Sequence, residues 1–294
     1  MKSLDTIKRR IGSVKTTSKI TGAMKLVATA KIKRQMTDFK NVSSFCKEFY
    51  QIIEDVVKTI PPEVEDKNAD KNKPKLWVLI SSSLGLCGAY NINVAKYLLK
   101  LISPTDKVLV VGRKGFNILK NRGAEQSLIG MTEFSDTGLN YLELLPTSEQ
   151  IIQMFQSKTI ASAHIVYTKF INSLTFEPTN IQILPLDSTL FKPQDKKTNV
   201  ERVDLTADRK EIMYEPTKEQ ILKSSIPIYV TTSIFAAISE SKVCENASRR
   251  NAMETATDNA NQIMDELTLA YNQARQENIT QEINEIVAGA DGSQ

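Results

Sequence analysis

The chain has 294 residues, room for one or two domains with a sizeable core. Apolar residues make up 41% and charged residues 24%, and Gly and Pro are too few for a collagen-like or low-complexity chain. The net charge of +4 hides an asymmetry: residues 1–40 carry +9, residues 41–210 carry +2, and residues 211–294 carry −7.

Cys46, Cys87 and Cys244 are far apart and odd in number, which argues against a disulfide scaffold or a CxxC metal clip. The single histidine, His164, lies in the apolar run Ala161–Tyr167 and reads as a core or strand-end residue. Zinc chemistry and His-based triads are therefore not expected; no metal, cofactor or catalytic residue is. No run of 18 uncharged apolar residues occurs, so no transmembrane helix is expected.

Residues 1–60 predict one long helix. Leu4, Ile7, Ile11 and Val14 start an apolar stripe. It resumes at Ile20, Met24, Val27 and Ile32, then at Val42, Phe45, Phe49, Ile52, Val56 and Ile60, with register slips expected near Gly22 and residues 32–42. Pro61-Pro62 should end it. A helix of that length suggests a coiled coil. Residues 61–75 hold eight charged residues and three prolines and read as a linker.

Residues 76–210 read as a small Rossmann-like α/β domain. Strands are predicted at Leu76–Ile80, Val108–Gly112, Ala163–Phe170 and Asn180–Leu184. Helices are predicted over Asn91–Leu101, Lys114–Asn121 and Ser148–Lys158. This alternation indicates βαβ units and a largely parallel sheet. The turn Gly85-Leu-Cys-Gly88 is neither GxGxxG nor GxxxxGK[ST], so it is a weak signal for phosphate. Cys87 near a helix start reads as a packing residue rather than a reactive thiol.

Residues 211–294 predict a second long helix. Thr217 with Gln220 forms a capping pattern, Pro227 kinks the helix, and Gly289 and Gly292 mark its end. Its expected buried face is poor in large apolar groups: Ala247, Ala252, Ala256, Ala260, Ile263, Leu267 and Ala270. The acidic second helix should attract the basic first one, making an antiparallel coiled coil. Two other readings stay open on the residues alone. The basic N-terminal segment could serve a nucleic-acid-binding coiled-coil protein, although it has no aromatic before Phe39. The βαβ middle could belong to a small enzyme with helical extensions.

Two segments carry a family resemblance. One runs from Ile7-Lys-Arg-Arg-Ile-Gly to Met24-Lys-Leu-Val-Ala-Thr-Ala-Lys31. The other comprises Ala256-Thr-Asp-Asn-Ala260 and Tyr271-Asn-Gln-Ala-Arg-Gln-Glu-Asn-Ile-Thr through Ala290. With Gly85-Leu-Cys-Gly88 and Asn91 between them, the chain resembles the gamma subunits of F-type rotary ATP synthases. The resemblance implies a central rotor subunit. Its terminal helices would form a shaft inside a hexamer of alpha and beta subunits. Its α/β domain would stand against the epsilon subunit and the membrane c-ring. It implies no nucleic-acid partner.

By position, the resemblance implies contacts with the beta subunit from Met24, Glu245, Arg249, Arg275, Gln276, Thr280 and Glu282. Ser83 and Leu84 depart from the family, which commonly has an acidic and a basic residue there. Arg250 stands where an apolar residue is usual, and Glu254 where a basic one is frequent. Residues 185–216 lack cysteine, so the thiol control of chloroplast forms is not expected. The family motif starts close to Met1, so no cleaved leader is expected. The implied location is the cytoplasmic face of a bacterial inner membrane, as a peripheral subunit.

Overall fold

A computed structural model describes residues 4–59, 73–133, 140–186, 215 and 217–291. Most of the expected 61–75 linker, Pro61-Pro62, Gly292 and nearly all of the cysteine-free 185–216 stretch lie outside the described residues. Two compact units form. One holds residues 1–31, 86–88 and 246–294; the other holds residues 32–85 and 89–245.

The larger unit is built on a five-stranded sheet in the order β3-β2-β1-β4-β5, with β1 Lys75–Ile80, β2 Lys107–Val111, β3 Leu128–Thr132, β4 Ser162–Phe170 and β5 Phe176–Leu184. Strands β1 to β4 run parallel, and β5 is antiparallel to β4. The interior parallel strands β1, β2 and β4 carry continuous apolar runs because helices cover both faces. On one face, α2 (Tyr90–Leu101) and α3 (Arg113–Asn121) bury Val94, Leu98 and Leu119 against Trp77, Leu79, Val108 and Val110. On the other face, α4 (Leu145–Gln156) and part of α5 (Lys218–Asp291) bury Ile151, Tyr229, Val230, Ile234 and Ile238 against Leu76, Val78, Ile80 and Ile165.

Sequence patterning missed β3, whose exposed Ile129 and Met131 flank Gly130 on a sheet edge. No apolar run marks such a strand. Strand β5 begins four residues before the expected Asn180 because Pro178 masks it; an edge strand tolerates proline. Helix α4 starts at Leu145, with a proline in its first turn, rather than at Ser148.

Helix α1 spans Leu4–Thr59. Its side chains turned from solvent recur every seventh residue, at Ile7, Val14, Thr21, Ala28, Gln35, Val42, Phe49 and Val56. Ile11, Ser18, Lys25, Ile32, Phe39, Cys46 and Ile53 interleave with them. This is an unbroken 3.5-residue repeat, so the expected register slips do not occur. The expected stripe coincides with the seam at Ile7, Ile11, Val14, Ile32, Val42, Phe49 and Val56 and leaves it at other apolar residues. Ile20, Val27, Phe45 and Ile52 are 54–58% exposed, while Ser18, Thr21 and Lys25 hold seam positions.

Helix α5 covers 74 residues and continues through Pro227. The Gln220 amide donates to the Thr217 hydroxyl at 3.3 Å, which supplies the N-terminal cap. Of the two glycines expected to mark its end, the helix passes Gly289 and runs to Asp291, the residue before Gly292. Contrary to the sequence expectation, its apolar first part is long enough by length and composition to cross a membrane. Tyr229, Val230, Ile234, Ala237 and Ile238 nevertheless pack into the core beneath the sheet, as in the core helix of a globular unit.

Candidate partner-contact surfaces

In the smaller unit, α1 and α5 pair antiparallel through polar contacts. Ser18 Oγ donates to Asn261 Oδ1 at 2.8 Å, and the Thr21 and Thr257 hydroxyls share a bond of 2.7 Å. Lys25 Nζ meets Glu254 Oε1 at 2.9 Å, and that bond holds the Glu254 carboxyl below its ordinary range. The expected attraction between basic and acidic helices is visible at this pair. Ala260 is buried as expected, but Ile263 is 41% exposed and Met264 is the residue turned inward.

The seven candidate contact residues fall into three environments. Met24 is half-buried, next to an exposed ledge of Ile20, Leu26 and Val27. Leu26 and Val27 were not singled out as contact residues. A strict heptad through Ile7, Thr21 and Ala28 would have found them as apolar side chains off the seam. Glu245 and Arg249 are 7% and 8% exposed, and Arg249 Nη1 donates to Asn246 Oδ1 at 2.8 Å. Arg275, Gln276, Thr280 and Glu282 are exposed, on a stretch of α5 whose residues from 275 to 286 all face solvent. Gln276 and Thr280 lie together on one face with Gln273, Glu277 and Gln281. The Thr280 hydroxyl donates to the Gln276 carbonyl at 2.9 Å, which leaves its oxygen able to accept.

The turn after β1 is locked from within the larger unit. Asn91 Oδ1 accepts the Ser82 amide at 2.9 Å, and Asn91 Nδ2 donates to Ser82 Oγ at 2.7 Å. Asn91 is thus a loop anchor. Cys87 is 2% exposed, a packing residue as read from the sequence. Ser83 is half-buried, and Leu84 is 49% exposed. Arg250 donates to Asn251 Oδ1 at 3.0 Å. Among the described residues, no group of three or more His, Cys, Asp or Glu side chains could hold a metal ion.

His164 lies in β4, its ring stacked on Trp77 at 4.6 Å and its Nε2 bonded to Ser162 Oγ at 2.9 Å. Burial pushes its pKa down to about 4, and the Lys75 cation adds to this while Asp106 opposes it. The unfolded chain therefore takes up this proton near pH 6.5 and the folded chain only near 4. Stability from neutral His164 is present above 6.5 and falls as pH drops from 6.5 to 4. The expected loss is about 2 kcal/mol, discounted because the residue is only half-buried. Urea unfolding followed by Trp77 fluorescence at pH 7 and pH 4.5 should show it, and His164→Gln should remove that part of the pH dependence.

The family model for ATP synthase matches residues 3–292. The ATP synthase gamma chain of Malacoplasma penetrans is 38% identical over 293 residues, covering 99% of this chain and all of that one. The chain belongs to the ATP synthase gamma-chain family. The gamma chain of Ureaplasma urealyticum is likewise 38% identical, over 98% of this chain and 99% of its own. Among solved structures, the rotor of Euglena gracilis mitochondrial ATP synthase superposes with a TM-score of 0.68 at 17% identity, covering 94% of this chain and 98% of that one. The central stalk of the Tetrahymena thermophila enzyme gives 0.58 at 23%, covering 81% and 99%. These two likenesses show a shared fold: long terminal helices with a five-stranded α/β unit between their chain segments.

Proposed function

We infer that this gamma chain is the central rotor subunit of an F-type ATP synthase, serving ATP synthesis and proton transport as part of that membrane-associated complex. Full-length identity to gamma chains carries this reading. Its finer parts are our own proposal. The helix pair turns inside the alpha and beta subunits of the catalytic hexamer. The α/β unit meets the epsilon subunit and the c-ring, and the assembly sits peripherally at the cytoplasmic face of a bacterial membrane. Met24, with its exposed neighbours Ile20 and Val27, faces beta, as do Glu245, Arg249, Arg275, Gln276, Thr280 and Glu282. The hydrogen-bonding face formed by Gln273, Gln276, Glu277, Thr280 and Gln281 supports this for the C-terminal part of α5. A rotor surface must release each partner as it turns, and the hydrogen-bonding groups on this face give specific, modest contacts.

The test is a variant with Gln276→Ala and Thr280→Ala. Both side chains are exposed and alanine is the best helix former, so circular dichroism of the isolated chain should be unchanged. If each side chain makes one neutral bond to beta of about 1 kcal/mol, turnover of the reassembled complex should fall about thirtyfold. Parent-like turnover and assembly would show that this face is idle; loss of helix would show that it is structural.

A further inference from the structure

Strand β1 ends before β4 does. Their pairing stops at Leu79 and Val166, yet β4 continues to Phe170, paired on its other side with β5 as far as Phe170 with Phe176. In a strand, alternate residues present their peptide groups to the same neighbour. Thr168 and Phe170 therefore turn theirs toward the flank that β1 has left. Buried peptide groups left open there would each carry a desolvation penalty.

Three side chains from little more than one turn of α5 fill that flank. Ser241 Oγ accepts the Thr168 amide at 3.4 Å, and Cys244 Sγ donates to the Thr168 carbonyl at 3.4 Å. Glu240 Oε1 accepts the Phe170 amide at 2.9 Å. Ser241 and Cys244 are buried, and the Tyr90 hydroxyl donates to the Ser241 carbonyl at 3.3 Å from the α2 side. Side chains of a helix thus stand in for a sixth strand along the end of β4.

We propose that Glu240, Ser241 and Cys244 form a clamp that fixes α5 to the sheet, and that they are positioning residues for torque transmission; this rests on the rotor reading above. Elsewhere α5 meets the sheet through Val230, Ile234, Ala237 and Ile238. Apolar packing resists separation but has no preferred direction, so it opposes sliding and axial rotation weakly. Hydrogen bonds to strand residues two positions apart, about 7 Å, are directional and oppose both. Burial holds the Glu240 carboxyl above its ordinary range, while the Phe170 amide, the Lys169 cation and a bond to Tyr167 act against this. The carboxylate is kept in an unfavourable place by the contacts it makes.

The test uses Glu240→Ala with Ser241→Ala in the full chain, alone and in the reassembled enzyme in sealed vesicles. Hydrogen exchange in the full chain should rise at least tenfold at the Thr168 and Phe170 amides, with Val166 unchanged. In vesicles, ATP hydrolysis should persist while protons pumped per ATP against a pre-set gradient fall severalfold. Glu240→Gln keeps an acceptor oxygen for Phe170 and should restore most of the pumping. Unchanged exchange at both amides overturns the clamp. Raised exchange with unchanged pumping overturns its role in torque, as does a Glu240→Gln variant no better than Glu240→Ala. If the double variant does not assemble, Ser241→Ala alone carries the comparison at the Thr168 amide, with Phe170, still held by Glu240, unchanged. Should the parent chain fail to support ATP-driven pumping at all, the rotor reading fails, while the exchange result still decides the clamp.

Discussion

Replacing Asp106 with alanine is expected to loosen the larger unit's sheet from the starts of its interior strands β1 and β2, at a cost of about 3–5 kcal/mol. The carboxylate is 5% exposed and accepts three N–H groups from separate places in the chain. Its Oδ1 takes the Lys75 amide at 2.9 Å, where β1 begins. Its Oδ2 takes Trp77 Nε1 at 3.0 Å and the Ser103 amide at 2.9 Å. One side chain thereby joins the start of β1, the end of α2's connection and the start of β2. Alanine leaves those donors without an acceptor in a place water does not reach freely, and the penalty for a stranded donor exceeds the net worth of the bond. Asparagine keeps one carbonyl oxygen but presents an amide to the other donors, so Asp106→Asn should fall between alanine and parent. Trp77 is the only tryptophan in the chain, so its emission in urea titrations reads this site directly.

Neither Asp106 nor its partners stood out in the sequence. An acidic residue between Thr105 and Lys107 looks like any loop residue, and its role depends on a strand that begins 31 positions away. The interior parallel strands β1, β2 and β4 were legible because helices bury both of their faces, leaving continuous runs such as Leu76–Ile80. β3 and the front of β5 were not, because edge strands carry exposed or proline positions without such a run. In α1 the helix itself was plain, and so was its seam at both ends, but around residues 18–28 and at Phe45 and Ile52 the seam was misplaced. Apolar residues pointed to Ile20, Val27 and Ile52, whereas the seam positions there include Ser18, Thr21 and Lys25. Polar side chains can hold a seam when their partners are polar too, as Thr21 meets Thr257 and Lys25 meets Glu254. That information lies in the opposing helix, more than 200 residues along the chain. The candidate contact residues came from family resemblance. Periodicity alone would have sent Arg275 to Glu282 to an ordinary solvated face, which is also how they stand in the folded chain.

Gly112→Ala should be at least as damaging, by about 3 kcal/mol or more, and for a reason confined to the backbone. Gly112 has φ +98°, in the region that favours glycine. It follows β2 directly and opens α3, where Ser81, just past β1, crosses close by. A Cβ on Gly112 would stand 2.7 Å from the Ser81 carbonyl carbon and closer still to its oxygen. That part of Ser81 cannot move aside, because its amide donates to the Val111 carbonyl at 2.8 Å and its hydroxyl to the Val111 and Gly112 carbonyls at 2.9 and 3.0 Å. Gly115, one turn on, is crowded differently: its added Cβ would meet the Ser81 side chain, 2.7 Å from Cβ and nearer to Oγ. The two glycines should therefore separate in a rescue experiment. Ser81→Gly removes the side chain, so in that background Gly115→Ala should cost much less than in the parent. Gly112→Ala should stay as costly as before, because the obstructing atoms are main-chain. Thermal unfolding of the four single and double variants, measured beside Ser81→Gly alone, decides it. Equal rescue of both glycine variants would show that side-chain crowding, not the backbone of Ser81, fixes glycine at position 112.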